Sequence, residues 1–271
     1  MARRWRPTAR CCSGRHRRRG CVGKRRVGPQ RNGQPRPRRP QLAFDGSERD
    51  VQRLRCLLER QSTKVPLLED PAASLVDDLR ARAALGAPAV DEDVLRAGLD
   101  RIFPGEGYAE QRAAAEVVVR SRTSVLTGGP GTGKTTTVAG VLALLAEQAG
   151  AAGERPLRVG LAAPTGKAAA RVRSAMEGAL EDILGRTTDQ ATRAAVEPLR
   201  QVEAMTLHRL LGWQPGSRSR FRHHRTNRLP HDVVLVDEAS MVSLTHMARL
   251  LEALRPQARL ILVGDADQLV S

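Results

Sequence analysis

Residues 124–145 read SVLTGGPGTGKTTTVAGVLALL, and this stretch decides the fold. A short apolar strand, Ser124–Leu126, runs into Gly128-Gly129-Pro130-Gly131-Thr132-Gly133-Lys134-Thr135, which satisfies the pattern G-x-x-x-x-G-K-[ST]. An amphipathic helix follows, with Val138, Val141, Leu142 and Leu145 on one face and Gly150 as its expected stop. Glycines let the backbone curl until successive N–H groups converge on phosphate oxygens. The helix starting near Lys134 turns its positive dipole end towards the same point. There Lys134 reaches the β- and γ-phosphates and the Thr135 hydroxyl can ligate Mg²⁺. The expected cofactors are ATP and Mg²⁺. The nucleotide-binding residues expected are Gly128, Gly129, Pro130, Gly131, Thr132, Gly133, Lys134, Thr135 and Thr136.

Working outward, three more apolar runs end abruptly: Val159–Ala163, Val233–Val236 and Leu260–Val263. Runs without alternation suit strands covered on both faces, as in parallel sheets. A helical stretch marked by Met247, Leu250, Leu251 and Leu254 precedes Pro256 and the last of these strands. Strands alternating with helices predict an α/β fold with a mostly parallel sheet. Each of the four runs delivers small, acidic or hydroxyl residues at its carboxyl end: Thr127 to Thr135, Pro164-Thr165, Asp237-Glu238, and Gly264 to Gln268. Open α/β sheets bind ligands at that edge. Asp237, a hard oxygen ligand on a rigid strand, is the expected metal holder together with Thr135. Glu238 is the candidate general base for polarising an attacking water.

The chain has 271 residues and a formal net charge of +16, but the charge is uneven. Residues 1–42 hold 14 Arg, one Lys and no acidic residue, whereas the other 229 residues balance 30 basic against 29 acidic side chains. This tail is expected to be disordered. It is either an arm that meets nucleic-acid phosphates or a stretch without structural meaning. Cysteines occur at 11, 12, 21 and 56, so no disulfide framework holds the main body, which suits a reducing cytoplasm. Cys11, Cys12, Cys21 and His16 make a poor tetrahedral zinc template. No apolar run approaches the ~18 residues of a membrane span, so no membrane partner is expected.

Residues 43–105 read as a small helical segment, part of an N-terminal domain. Leu54, Leu57 and Leu58 recur at helical spacing, as do Leu75, Val76 and Leu79, and Asp91 before Val94-Leu95 reads as a capped helix start. Residues 106–271 form the expected α/β domain. Within it, Arg218 to Arg228 reads as an exposed hairpin or loop.

At this point the residues resemble the motor core of superfamily-one DNA helicases, and within them the RecD-like family, the alpha chains of exodeoxyribonuclease V. The resemblance covers roughly residues 105–271. It rests on Gln111-Arg112-Ala113-Ala114, LTGGPGTGKTTT (126–137), APTGKAAAR (163–171), TLHRLLG (206–212), VDEASM (236–241) and GDADQL (264–269). It implies a RecA-like P-loop ATPase domain that drives 5′→3′ unwinding, as a subunit of an ATP-dependent exonuclease in recombinational repair. It further implies that Gln111 reads the adenine edge, that Asp237 and Glu238 hold Mg²⁺ and activate water, and that Gln268 senses the γ-phosphate. Lys134, Glu238 and Gln268 are then the catalytic set. Thr165, Lys167, Thr206 and His208 fall in segments that contact single-stranded DNA in the family, although His208 equally suits a local packing role. Single-stranded or duplex-end DNA and RecB- and RecC-like subunits are the partners implied.

Two departures stand beside the resemblance. The sequence ends directly after GDADQL, where the family places a second RecA-like domain that supplies arginines to the γ-phosphate, so slow turnover by this chain alone is expected. Residues 1–74 match nothing in the family. Two other readings stay open from the residues: a P-loop ATPase switch that is no helicase, and a DNA-binding protein acting through its basic tail.

Overall fold

A computed structural model describes residues 70–129, 131–213 and 221–265. The basic tail, the leucines at 54, 57 and 58, Pro130 and Gln268 therefore lie outside the described residues. In chain order the main elements are α1 (Pro71–Ala84), α2 (Glu92–Ile102), α3 (Ala109–Val119), β1 (Thr123–Thr127), α4 (Lys134–Ala151), β2 (Val159–Ala163) and α5 (Gly166–Arg186). They continue with α6 (Gln190–Val196), β3 (Ala204–Thr206), α7 (Leu207–Leu211), β4 (Val233–Val236), α8 (Leu244–Ala253) and β5 (Arg259–Gly264).

The five strands form one sheet in the order β1-β5-β4-β2-β3, and every pairing is parallel. Register is set by opposed apolar residues, with Val125 beside Leu262, Ile261 beside Leu235, and Leu235 beside Leu161. Successive strand residues face opposite sides. Leu126, Leu161, Val233, Leu235, Ile261 and Val263 accordingly enter one core, while Ala162, Val234, Val236, Leu260 and Leu262 enter the other. All four residues of β4 are buried, the signature of a strand with helices on both faces.

Helices α2 to α6 cover the first face, and α1, α7 and α8 cover the second. Asp91 caps α2 as expected, accepting hydrogen bonds at 3.0 Å from the amides of both Asp93 and Val94. The described helices of the 43–105 segment are built into the sheet's two layers. Leu75, Val76 and Leu79 of α1 join the α8 core, and Leu95, Leu99 and Ile102 of α2 join the opposite one. Neither helix is long enough to bury its apolar stripe without the sheet, so no break in packing marks the 105/106 boundary.

Three expectations are corrected. Helix α4 is not amphipathic: Ala139, Ala143 and Leu144 are as buried as Val138, Val141, Leu142 and Leu145. A helix apolar all round is an interior helix, and α2 covers its far side. The backbones approach so closely that a Cβ on Gly140 would lie 2.2 Å from Phe103 Cζ, and one on Gly98 would lie 2.6 Å from Leu144 Cδ2. The stop of α4 is Gly153, not Gly150, because Gly153 takes the left-handed conformation (φ 69°) and the Glu154 amide returns to the Ala149 carbonyl at 2.8 Å. Finally, β3 is an edge strand that no apolar run announced. The hairpin region closes back through antiparallel bridges between Trp213 and Phe221 and between His224 and Asn227. No described helix is long and apolar enough to cross a membrane.

Candidate nucleotide-binding site

Because all strands are parallel, their carboxyl ends share one edge, and the glycine loop leaves β1 there. Gly131 and Gly133 both take positive φ (73° and 77°), which L side chains rarely adopt, and Gly133 is the N-cap of α4. Its carbonyl accepts from the Thr137 amide at 2.9 Å and from Thr137 Oγ1 at 3.0 Å, fixing the first turn. Thr132 Oγ1 donates to the Gly129 carbonyl at 2.9 Å, and a Cβ on Gly128 would meet that same Oγ1 at 2.6 Å. A side chain at 128 would therefore have to displace the Thr132 hydroxyl from its bond to Gly129. Lys134 Nζ donates to the carbonyls of Gly128 and Gly129, the latter at 2.9 Å, so its ammonium lies over the loop. Thr135 and Thr136 are half-buried in the first turn behind it. Gln111 arrives from α3, its Nε2 lying 3.2 Å from where a Gly133 Cβ would stand.

Two strands away, β4 delivers Asp237, whose amide donates to the Ala162 carbonyl at 2.9 Å and extends the β4–β2 pairing by one residue. Burial pushes its carboxyl above the ordinary range, against the opposing pull of the Glu238 amide and the charges of Lys134 and Arg171. A carboxylate short of solvent and facing a lysine is the donor a hard cation takes. Glu238 follows at φ 49° and ψ 40°, the one non-glycine residue of positive φ among the described residues. Left-handed backbone costs a side-chain-bearing residue about 1–2 kcal/mol. The conformation persists because Met241 donates to the Glu238 carbonyl at 2.9 Å, closing a turn against which the end of β5 packs. Glu238 is thus a candidate functional residue on the edge where open α/β sheets bind ligands.

The segments from β2 and β3 come together as neighbours, since Ala163 pairs with Thr206. Thr165 caps α5 by accepting from the Ala168 amide at 3.1 Å, and Thr206 caps α7 by accepting from the Arg209 amide at 3.3 Å. Lys167 is exposed in the first turn of α5. His208 is exposed too, and its ring meets the edge of His246 at 4.4 Å between centroids. Local packing is thus an actual role of His208. Burial, together with the nearby His208, holds the His246 imidazole below its usual value. Sequence reasoning missed Arg171, whose charge acts on Asp237. Its signal was available: it stands one helical turn after Lys167, on the same face of α5. Among the described residues there is no group of three or more His, Cys, Asp or Glu side chains that could hold a metal ion.

A family model described as an AAA domain matches residues 111–271. The chain belongs to the AAA domain family. Its relatives narrow the kinship. The RecBCD enzyme subunit RecD of Mycolicibacterium smegmatis is 61% identical over 173 residues, covering 64% of this chain and 30% of that protein. The RecBCD enzyme subunit RecD of Mycobacterium tuberculosis is 54% identical over 203 residues, covering 75% of this chain and 32% of that protein. The ATP-dependent RecD2 DNA helicase of Deinococcus radiodurans is 43% identical over 165 residues, covering 60% of this chain and 18% of that protein. The chain thus spans about a third of the length of the two RecD subunits it matches. The AAA domain is RecD-like, and its fold is the α/β RecA-like P-loop fold that the sequence predicts.

Proposed function

We propose that this chain carries the ATP-binding and hydrolysing motor domain of a RecD-like 5′→3′ DNA helicase, a subunit of an ATP-dependent exonuclease that serves recombinational repair in the cytoplasm. The observation that carries this reading is the convergence of the glycine loop with Asp237 and Glu238 on one sheet edge, within the residues that the AAA domain model matches, in a chain with RecD relatives. The loop amides and the amino end of α4 hold the triphosphate, and Lys134 exchanges its two carbonyl partners for β- and γ-phosphate oxygens. Mg²⁺, when bound, would neutralise charge developing on those oxygens, and Thr135 and Asp237 are the residues that fit it. Glu238, next in the chain to Asp237 at the carboxyl end of β4, takes a proton from the attacking water. Gln111, close to Gly133 of the loop, reads the adenine edge, and Gln268 senses the γ-phosphate. Thr165, Lys167, Thr206 and His208 border the path of single-stranded DNA, with RecB- and RecC-like subunits as partners. A switch ATPase or a tail-driven DNA binder draws no support from RecD-like relatives.

Turnover of Mg·ATP with and without single-stranded DNA tests the reading. The chain should bind Mg·ATP and hydrolyse it slowly whether or not DNA is present, and Glu238→Gln should lower that slow rate while leaving nucleotide affinity in place. Absence of Mg·ATP binding would refute the motor-domain reading, and an unchanged rate in the Gln variant would remove Glu238 as the base.

A further inference from the structure

The opposite edge of the sheet, at the amino ends of β4 and β5, carries a second concave surface. A cavity of about 920 Å³ is lined there by Arg122, Arg155, Arg255 and Arg259, with Leu145 and Leu157 among its apolar walls. It shares Ala149, Ala151, Glu154, Arg155 and Leu157 with an adjoining groove of about 660 Å³. That groove runs between α2 and α6 and is walled by Val94, Ala97, Ala146, Ala194, Pro198 and Leu199. The two depressions share a wall: the first is cationic, and the second is mostly apolar, with Asp93, Arg101 and Glu147 also on its lining.

The cationic end has more charge than its own carboxylates neutralise. Asp232 takes two bonds from Arg155, at 2.7 and 2.9 Å, one from Arg255 at 2.6 Å, and one from the Arg158 amide at 3.0 Å. The Arg122 guanidinium donates, among the described residues, to the carbonyls of Gly86 and Gln257, and that of Arg259 to those of Val119 and Ser121. Among the described residues neither of these two arginines makes an ion pair, and the two other acids lining the cavity are Asp91, which caps α2, and Glu154. Burial, with the charge of Arg122 beside it, holds the Arg259 guanidinium down to about 10. Arg122 lines the cavity, and its Nη2 donates to no acceptor among the described residues; a guanidinium fork matches carboxylate geometry.

We propose that this edge docks an acidic, apolar-bearing segment of another protein, with carboxylates seated on Arg122, Arg155 and Arg255 and apolar side chains in the α2–α6 groove. Charge complementarity selects an anion, and the contiguous apolar half selects a peptide over nucleic acid, whose backbone has nothing to bury there. The surface lies a full strand length from the glycine loop, so docking leaves the nucleotide edge free. The inference stands on this geometry and is independent of the helicase reading.

Fluorescence anisotropy with the full chain, saturated with Mg·ATP, tests it. The probe is a labelled hexapeptide of two leucines followed by four glutamates. Saturable binding is expected, weakened at least about tenfold by Arg122→Glu and less by the milder Arg122→Gln. Ala194→Trp, which fills the apolar half, should weaken it as well, and all three variants should bind nucleotide as the parent does. Absence of saturable binding would overturn the proposal. So would an affinity that neither Arg122 variant changes, the result if the basic tail captures the peptide. Equal displacement by a single-stranded oligonucleotide or by tripolyphosphate would also overturn it, since the cavity would then read negative charge from any source.

Discussion

The two edges of the sheet are built from the same strands, yet they handle charge in opposite ways. At the carboxyl edge the amino ends of α4, α5 and α7 point N–H groups outward, and the side chains that cap them there are Thr165 and Thr206. At the amino edge the helices end, and their carbonyls collect. Arginines meet them: Arg259 bonds the carbonyls of Val119 and Ser121 at the end of α3, and Arg228 bonds those of Glu252 and Leu254 at the end of α8. Arg82, buried beneath them, donates to the Arg122, Arg255 and Ala258 carbonyls and to Thr123 Oγ1. The crossover helices of a parallel sheet orient their dipoles the same way, whereas α2, which is no crossover helix, starts at the amino edge with Asp91 beside Gln148 of α4. One edge is then an anion site made of backbone, while the other needs cations for its own stability. The difference teaches where to look for each kind of defect: substitutions at the carboxyl edge should alter chemistry, and those at the amino edge should alter stability.

The largest break in this division should come from Arg82→Met. It leaves buried carbonyls without a donor, each costing about 1–3 kcal/mol, so a total loss of roughly 3 kcal/mol is expected in a denaturant titration. Nucleotide affinity measured on the folded fraction should stay as it was. If affinity falls in step with stability, the two edges are not separable. A smaller effect of opposite sign is expected from Glu238→Gly. Relief of left-handed strain should raise the unfolding free energy by about 1 kcal/mol while hydrolysis disappears. A destabilised Gly variant would mean that the turn, not function, holds that backbone.

The smallest effect concerns pH. Burial works against the Asp232 carboxylate, but hydrogen bonds from Arg155, the Arg158 amide and Arg255 outweigh it and hold the group down at about 2. A carboxylate depressed in the folded state adds stability that is whole above its unfolded value near 4 and is lost as pH falls towards 2. Melting temperatures followed from pH 5 to pH 2 should drop more steeply for the parent than for Asp232→Asn. Parallel curves would remove Asp232 from the amino edge's stability.

Much of the carboxyl edge was legible in the sequence because its residues are contiguous. The strands of Val159–Ala163 and Val233–Val236 carry unbroken apolar runs, and the glycine loop writes its backbone requirement directly into residue type. The amino edge was not legible. Arg82, Arg122, Arg228 and Arg259 come from four distant places, and a lone arginine in sequence says nothing of the carbonyl it will meet. Strand β3 escaped notice because Ala204-Met205-Thr206 is three residues long and pairs on one side only. The interior character of α4 was hidden for a related reason: its second apolar face has meaning only once Gly98 and Gly140 bring α2 against it. Glu238 was named from its place after Asp237, but its strained backbone is a property of the turn that no residue type announces.

Calorimetric titration of Mg·ATP into Lys134→Ala tests the central claim most directly. Loss of an ammonium from the triphosphate should weaken binding at least about tenfold, with an unchanged melting temperature for the free protein. Affinity equal to that of the parent chain would contradict the account of the glycine loop as the nucleotide site.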